Sequence, residues 1–303
     1  MKRPLPDIKR YDFEEVAFGN LMQKRINKIL IICSNYDYYM LEEDGRIDER
    51  IFDEYTALNL RYPPSFFHAN SAKRALKILE NDKIDLIITW LDIGNNQTFE
   101  ASKQIKEAFP KIPIMALSHY SSLLRKKLEK EKTGIIDLVF HWNGNVDIFL
   151  AIIKLTEDRM NAEKDINEIG VKAILLVEDS MKFYSRYLPI IYKIIFNQTR
   201  SFMSEGLNDY RKMMLMRGRP KILLAINFED GKELFEKYKE NLLGVISDVN
   251  YFREGKRDPE AGFHLLRYVR GYERYFPFLI QSSDINNEKK TLGAKRKIFI
   301  QVF

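Results

Sequence analysis

The chain has a single cysteine, Cys33, and four histidines among its 303 residues. One cysteine cannot form a disulfide within the chain, and it excludes a zinc site built from several cysteines. Long apolar runs are also lacking, because runs such as residues 29–33 and 173–177 fall far short of the about 20 residues that cross a bilayer. The first ten residues are charged and contain prolines, unlike a secretory signal peptide. We therefore expect a cytoplasmic protein that does not enter the membrane.

A large excess of charge of one sign is lacking as well. The chain has 49 Lys and Arg residues and 43 Asp and Glu residues, a net charge of +6, and the two signs are interleaved along the sequence. Such a balance does not favour nucleic acid as a partner. The densest basic segments, at residues 211–221 and 289–297, are typical of a solvated helix face or a loose tail. Nucleic-acid binding through the first of them is a minor alternative.

Short β-branched runs and longer helical patterns alternate along the first half. Strands are predicted at residues 28–32, 65–68, 84–89, 112–117 and 135–140, and helices at 48–60, 71–80, 99–109, 121–130 and 146–160. This order predicts a parallel sheet with helices on both faces.

The second half repeats the same order. Strands are predicted at residues 173–177, 221–225, 243–247 and 278–281, and helices at 183–196, 229–240 and 259–268. The run KILIICSN from Lys28 aligns with KAILLVEDS from Lys172, which indicates an internal duplication. We predict an N-terminal arm at 1–27, one domain at 28–165, and a second domain at 166–303 that carries an insertion at 197–220.

Acidic side chains follow two predicted strands of the second half. Glu178 and Asp179 come directly after the strand at 173–177, and Asp248 comes directly after the strand at 243–247. Parallel strands end at one edge of a sheet, where ligands of such folds bind. Three carboxylates at this edge would raise each other's pKa unless a cation neutralised them, and oxygen ligands with room for water suit Mg²⁺. A carboxylate beside Mg²⁺ is well placed to attack a phosphoryl group.

The runs ILLVEDS, VISDVNYFREGKRDPEAGFHLLRYVR and PFLIQSS resemble the receiver domain of two-component response regulators. The resemblance implies an α/β fold of the doubly wound, flavodoxin-like kind, with five parallel strands in the order 2-1-3-4-5. By position it makes Asp248 the phosphate acceptor and Ser282 the hydroxyl that hydrogen-bonds the phosphoryl group. It makes Glu178, Asp179, Asp248 and the main-chain carbonyl of Asn250 the ligands of Mg²⁺.

This resemblance covers about residues 171–294, and the chain departs from the family pattern in two ways. The interval from Asp179 to Asp248 is 248 − 179 = 69 residues, longer than usual because of the insertion. The position of the family's lysine falls on Gln301, and no residues remain for a fifth helix. We therefore expect the second domain to be incomplete or altered at its C-terminus.

The first half resembles the same receiver fold but lacks the acidic residues of its site. Cys33 and Ser34 occupy the positions of the acid pair, and Trp90 takes the place of the accepting aspartate. Ser118 keeps the hydroxyl position. We interpret this half as a degenerate pseudo-receiver that serves as an interaction module.

The resemblance implies a response regulator in phosphorelay signal transduction. Asp248 would accept a phosphoryl group from a histidine kinase or phosphotransfer protein, with Mg²⁺ as cofactor. The protein would be a phosphoprotein and not an enzyme, beyond its own phosphorylation and dephosphorylation. A downstream enzyme or output protein is the expected further partner, and a homodimer is left open.

A second hypothesis belongs to a different class of protein. The chain pairs a degenerate receiver domain with a receiver domain that keeps its acids. This arrangement also resembles the N-terminal region of bacterial phosphoenolpyruvate synthase and pyruvate phosphate dikinase-like proteins. The chain would then be a non-catalytic regulatory or scaffolding fragment of a larger enzyme.

Overall fold

In a computed structural model of the protein, the residues described are 21–43, 46–57, 60, 62–91, 97–119, 134–203, 209–282 and 298–302. The first half forms a five-stranded parallel sheet. Its strands are β1 (Lys28–Ile32), β2 (Ser65–Ala69), β3 (Leu86–Trp90), β4 (Ile114–Ser118) and β5 (Leu138–His141), in the order β2-β1-β3-β4-β5. Strands β3 and β4 are buried along their whole length, as expected for parallel strands covered on both faces.

The second half forms another five-stranded parallel sheet. Its strands are β6 (Ala173–Val177), β7 (Lys221–Ala225), β8 (Leu242–Asp248), β11 (Phe278–Ser282) and β12 (Ile298–Val302), in the order β12-β11-β8-β6-β7. Two further strands, β9 (Tyr251–Arg253) and β10 (Lys256–Asp258), pair antiparallel as a separate hairpin. Counted within each half, both main sheets have the order 2-1-3-4-5, and the predicted fold class is confirmed.

Helices connect the strands in both halves. They are α1 (Asn35–Glu43), α2 (Ile47–Ala57), α3 (Ala72–Asn81), α4 (Gln97–Ala108) and α5 (Asp147–Ala162) in the first half, and α6 (Met181–Ser201), α7 (Asp209–Arg217), α8 (Phe228–Tyr238) and α9 (Ala261–Tyr272) in the second. The helix predicted at 121–130 lies outside the described residues. No helix of the described chain is long and apolar enough to cross a membrane.

The element bounds agree with the sequence prediction at most positions. The strands at 28–32, 173–177 and 221–225 are found residue for residue, and the others differ at their ends. Helix α1 was not predicted, because it buries little apolar surface beyond Leu41. Its signal is local: the main-chain N–H of Asp37 donates to Ser34 Oγ at 3.1 Å, an arrangement typical of a helix N-terminus.

Helix α5 lies between the two halves and is buried on nearly all sides. Apart from Asp147, Arg159 and Met160, every residue of this helix is buried. One continuous core joins it to Ile31 of β1 in the first sheet and to Ile222 of β7 in the second. The two halves therefore share a core. The domain boundary predicted between residues 165 and 166 stays a prediction.

Acidic side chains of this buried helix are paired with buried cations. Asp158 accepts hydrogen bonds from Arg219, whose Nη2 lies 2.8 Å from Oδ1, from Tyr192 Oη at 2.9 Å, and from the main-chain N–H of Ile222 at 3.0 Å. Just beyond α5, Lys221 Nζ lies 3.0 Å from Asp165 Oδ2. Since an unpaired buried charge is costly, each of these ions requires its partner.

These pairs correct the prediction for two residues of the basic segment at 211–221, which was expected to form a solvated helix face or a loose tail. Arg219 and Lys221 are only 2% and 0% exposed. Their positive charges were visible in the sequence, but the acids that neutralise them lie more than 50 residues away in the chain. Met214 and Met216 of the same segment are buried as well.

Residues 21–27 also differ from the prediction, which placed them in an arm outside the core. Met22 and Ile26 are buried. The main-chain N–H of Met22 donates to Asp165 Oδ1 at 3.2 Å, and that of Ile26 donates to Glu157 Oε1 at 3.1 Å. The extended chain is thus held by acidic side chains of α5 and of the turn that follows it.

We predict that Asp158→Asn destabilises the protein by about 3–5 kcal/mol, because it leaves the Arg219 charge buried without its counter-ion. The measurement is the urea unfolding midpoint and slope at neutral pH. Glu49→Gln is the control, since Glu49 pairs with Arg46 at the surface and its loss should change stability by less than about 0.5 kcal/mol. Equal midpoints for the two variants would contradict the role given to the buried pair.

Candidate functional site

Three parallel strands of the second sheet end at one edge, and polar residues stand at each end. Strand β6 ends at Val177, directly before Glu178 and Asp179, while β8 ends at Asp248 and β11 ends at Ser282. The parallel pairing of β6 and β11 with β8 aligns these three ends. The topology therefore brings together residues that are far apart in the sequence.

The three carboxylates form a compact cluster. One oxygen from each of Glu178, Asp179 and Asp248 can be chosen so that all lie within 4.8 Å of one another. Glu178 is buried and the other two are partly buried. The predicted convergence of these acids is present in the structure, whereas their chemical roles stay predictions.

The pKa values of two of these acids are raised, chiefly by burial. Burial and the nearby negative charge of Asp248 raise the pKa of Glu178 to about 8. The main-chain N–H of Ser180, which donates to Glu178 Oε1 at 3.0 Å, opposes that rise. Burial also raises the pKa of Asp248, against hydrogen bonds from the main-chain N–H groups of Val249 and Asn250.

The donor set fits a divalent cation that prefers oxygen. Three carboxylates within reach of one another supply hard ligands, and a bound cation would offset the repulsion that raises the pKa of Glu178. Glu178, Asp179 and Asp248 would hold it. The ligand role predicted for the main-chain carbonyl of Asn250 stays a prediction.

Ser282 stands beside this cluster on the neighbouring strand. It is 7% exposed and follows Gln281, whose Cα pairs in register with that of Asp248. The next strand, β12, places Val302 beside Ser282 and Gln301 beside Gln281. Strand β12 therefore contributes no lysine to this edge, in agreement with the departure noted in the sequence; Lys295 and Lys297 lie outside the described residues.

The start of helix α9 is pressed against the backbone of the site. A Cβ atom added to Gly262 would lie 2.2 Å from the carbonyl oxygen of Asp248 and 3.0 Å from Val249 Cα. The N–H of Gly262 donates to the carbonyl oxygen of Val249 at 3.0 Å. Only glycine allows this approach, so Gly262 fixes the main chain that carries Asp248.

Sequence reasoning missed one charged residue of the site. Arg257, on the β9–β10 hairpin, pairs through Nη1 with Asp179 Oδ2 at 2.5 Å. The hairpin turn has Glu254 and Gly255 with positive φ values of 52° and 73°, which suits a two-residue turn. The dipeptide Glu254-Gly255 could have predicted the hairpin turn. Nothing in the sequence indicated that Arg257 would pair with Asp179.

The corresponding edge of the first sheet has a different chemistry. Cys33 is buried, and burial raises the pKa of its thiol to about 12, so the thiolate is not formed near neutral pH. Trp90 and Ser118 are buried at the ends of β3 and β4. Among the described residues, these three neutral side chains offer no carboxylate to a divalent cation.

The acidic site lies one helical turn away from the first half. Helix α6 begins at Met181, just after the acid pair. Tyr184 Oη donates to the carbonyl oxygen of Val139, and Ser185 Oγ accepts from the main-chain N–H of His141 at 2.9 Å. The first turns of α6 thus join the site to strand β5 of the other sheet.

The chain is similar to solved structures of receiver domains. It matches the signal receiver domain of an HD domain-containing protein from Pseudomonas fluorescens Pf-5 at 17% identity, over 47% of this chain and 94% of that one, with a TM-score of 0.31. It matches the signal receiver domain of a protein described as a Luxo repressor from Vibrio parahaemolyticus at 18% identity, over 46% of this chain and 95% of that one, with a TM-score of 0.35.

A third solved structure is similar over most of this chain. It is described as a two-component system response regulator/GGDEF domain protein, and matches at 14% identity over 91% of this chain and 92% of that one, with a TM-score of 0.34. No family model and no curated protein matches the sequence. Because these TM-scores are low, the assignment of the fold depends on the strand order and not on these likenesses.

We predict that the stability of the metal-free protein falls as pH rises from about 5 to about 9, partly through Glu178. Its carboxyl is protonated in the folded protein up to a pKa of about 8 but ionises in the unfolded chain near its ordinary value, so the stabilisation is lost as pH passes through the folded pKa. Glu178→Gln should remove a share of this loss on the order of a few kcal/mol. The measurement is urea unfolding with EDTA at both pH values, and an unchanged pH slope in Glu178→Gln would refute the assignment.

We predict that Gly262→Ala destabilises the protein by about 1–3 kcal/mol, because the new methyl group overlaps the carbonyl oxygen of Asp248. Gly271→Ala is the matched control on the same helix, since a Cβ there meets no atom within 4 Å. It should be neutral or stabilising by up to about 1 kcal/mol. Urea midpoints of the two variants check the expectation, which would be wrong if Gly262→Ala were as stable as Gly271→Ala.

Proposed function

We propose that the second half of the chain is a phosphate-accepting receiver domain with Asp248 as acceptor. The observation that supports this is the convergence of Glu178, Asp179 and Asp248, with oxygens within 4.8 Å of one another, at the carboxyl edge of a 2-1-3-4-5 parallel sheet. Ligands of such sheets bind at this edge. Because the acids come from two strands separated by a long insertion, the chemistry depends on the fold and not on one contiguous motif.

In the proposed reaction, a carboxylate oxygen of Asp248 attacks the phosphorus of a phosphohistidine on a histidine kinase or phosphotransfer protein. The P–O bond to Asp248 forms as the P–N bond breaks, and its electron pair stays on the imidazole nitrogen. An acyl phosphate on Asp248 results, and attack by water later releases it as inorganic phosphate. The step needs no oxidant or reductant.

The surrounding residues supply position and charge. The main-chain N–H of Asn250 donates to Asp248 Oδ2 at 3.3 Å and orients the attacking carboxylate. Ser282, on the adjacent strand, can donate its hydroxyl to an added phosphoryl oxygen. A divalent cation such as Mg²⁺, when bound by Glu178, Asp179 and Asp248, would supply positive charge that offsets the repulsion between the acceptor and the incoming phosphoryl group.

The first half serves in this proposal as an interaction module. Its site edge has Cys33 and Trp90 in place of acids, and it contacts the start of α6 through Val139 and His141. A change at the acidic site would therefore reach the first sheet through the first turns of α6 and these two hydrogen bonds. The output would be a downstream enzyme or another partner protein, and the protein itself would act as a regulator and not as an enzyme. The resemblance to the N-terminal region of phosphoenolpyruvate synthase stays a prediction.

The experiment is binding of beryllofluoride, a phosphoryl mimic, to the full chain in the presence of Mg²⁺. We expect the wild type to bind it and Asp248→Asn to show no detectable binding, because the fluoride complex needs the carboxylate oxygen of Asp248. Fluorine NMR with isothermal titration calorimetry provides the measurement.

Asp53→Asn is the control for this experiment, since Asp53 is exposed on α2 of the first half. It should bind beryllofluoride like the wild type. Binding that survives in Asp248→Asn, or that is absent from the wild type, would end the proposal.

A further inference from the structure

A cation from the protein itself already sits on the acidic site. Arg257 Nη1 lies 2.5 Å from Asp179 Oδ2. The Asp179 side chain is 5% exposed, whereas that of Arg257 is 41% exposed. The acid is therefore fixed in the site, and the arginine reaches it from the solvent side with room to move.

The hairpin that carries Arg257 is anchored outside the acidic cluster. Arg257 pairs across the hairpin with Phe252, and its guanidinium lies 5.5 Å from the centre of that ring. The main-chain N–H of Glu254, at the turn, donates to Glu229 Oε1 of α8 at 2.8 Å. The strand pairing and the contact of Glu254 with α8 do not use the guanidinium, so it can leave Asp179 while the hairpin stays folded.

The guanidinium acts on the other acids too. Its positive charge lowers the pKa values of both Glu178 and Asp248, against the larger effect of burial. Arg257 is thus within electrostatic reach of all three carboxylates, including the proposed phosphate acceptor. A guanidinium is also suited to phosphoryl groups, since its planar fork donates two hydrogen bonds at once.

We propose that Arg257 is a built-in cation of this site, which competes with the divalent metal for Asp179 and, once displaced, pairs with the phosphoryl group on Asp248. This inference rests on the proposed function. A metal that takes Asp179 Oδ2 displaces the arginine from it, and a metal on Oδ1 shares the carboxylate with a second positive charge, so either position sets the two cations in competition. The negative charge added at Asp248 then offers it a new partner.

This role would also account for the composition of strand β12. The register places Gln301 and Val302 at the site edge, and neither carries a charge. A positive charge for the phosphoryl group would come from the β9–β10 hairpin and not from β12. The hairpin follows β8 directly, so acceptor and cation belong to one continuous segment, residues 248–257.

The test is titration of Arg257→Gln with Mg²⁺ alone, followed by beryllofluoride at saturating Mg²⁺. We expect Mg²⁺ to bind roughly three- to tenfold more tightly than to the wild type, because its competitor at Asp179 is gone. Beryllofluoride should bind roughly tenfold more weakly or worse, because a charge-assisted contact is lost. The two affinities thus shift in opposite directions.

Arg253→Gln is the matched control, because Arg253 lies on the same hairpin but pairs with Asp258 at 3.5 Å. Both affinities of this variant should stay within about twofold of the wild type, since it leaves the Arg257 contact intact. Arg257→Lys, which keeps the charge but not the fork, should give intermediate values for both ligands. Urea midpoints show that each variant is folded.

The proposal needs both shifts in Arg257→Gln, and a wild-type affinity for either ligand overturns it. The outcome is separable from that of the proposed function. If the wild type binds no beryllofluoride, the phosphoacceptor function itself fails. If the wild type binds it and Arg257→Gln behaves like the wild type, only the role of Arg257 is wrong.

Discussion

The structure depends on a helix that is buried between two sheets while carrying charge. Helix α5 presents apolar residues to both halves, but it also brings Glu157 and Asp158 into the interior. A buried carboxylate is tolerated only with a partner: Glu157 pairs with Lys154 of the same helix and accepts the main-chain N–H of Ile26, which precedes β1, while Asp158 pairs with Arg219, which precedes β7. The chain before β1 and the chain before β7 are therefore both bound to α5. The two halves cannot separate without breaking the ion pair between Arg219 and Asp158.

This arrangement gives the acidic site a rigid surrounding. The strands that carry Glu178 and Asp248 belong to a sheet whose neighbouring strand β7 is held by α5, and Gly262 presses α9 against the backbone of Asp248. Helix α6 leaves the site and contacts strand β5 of the first half within its first two turns. The first half is thus hydrogen-bonded to the helix that follows the acid pair.

Much of this could be read from residue patterns. The β-branched runs of β6 and β7 are short, continuous and bounded by polar residues, and their positions follow from burial on both faces. The acid pair after β6 and Asp248 at the end of β8 follow from the same reasoning, because parallel strands end at one edge. Helix α1 was not predicted from the sequence because its apolar pattern is weak. Arg219 was misread because its charge is typical of a surface residue, and only a distant aspartate makes its burial acceptable.

The sequence alone predicted the alternation of strands and helices and the three acids that follow two of the strands, since hydrophobic periodicity and the residue after each strand are local properties of the chain. The strand order 2-1-3-4-5 was implied only by the resemblance to receiver domains. The tertiary structure decided how the two halves share α5 and which cation faces the acids. The physical reason is that ion pairs such as Arg257 with Asp179 join residues 78 positions apart, and their energy depends on distance and burial. Neither quantity is encoded in the pattern of neighbouring residues.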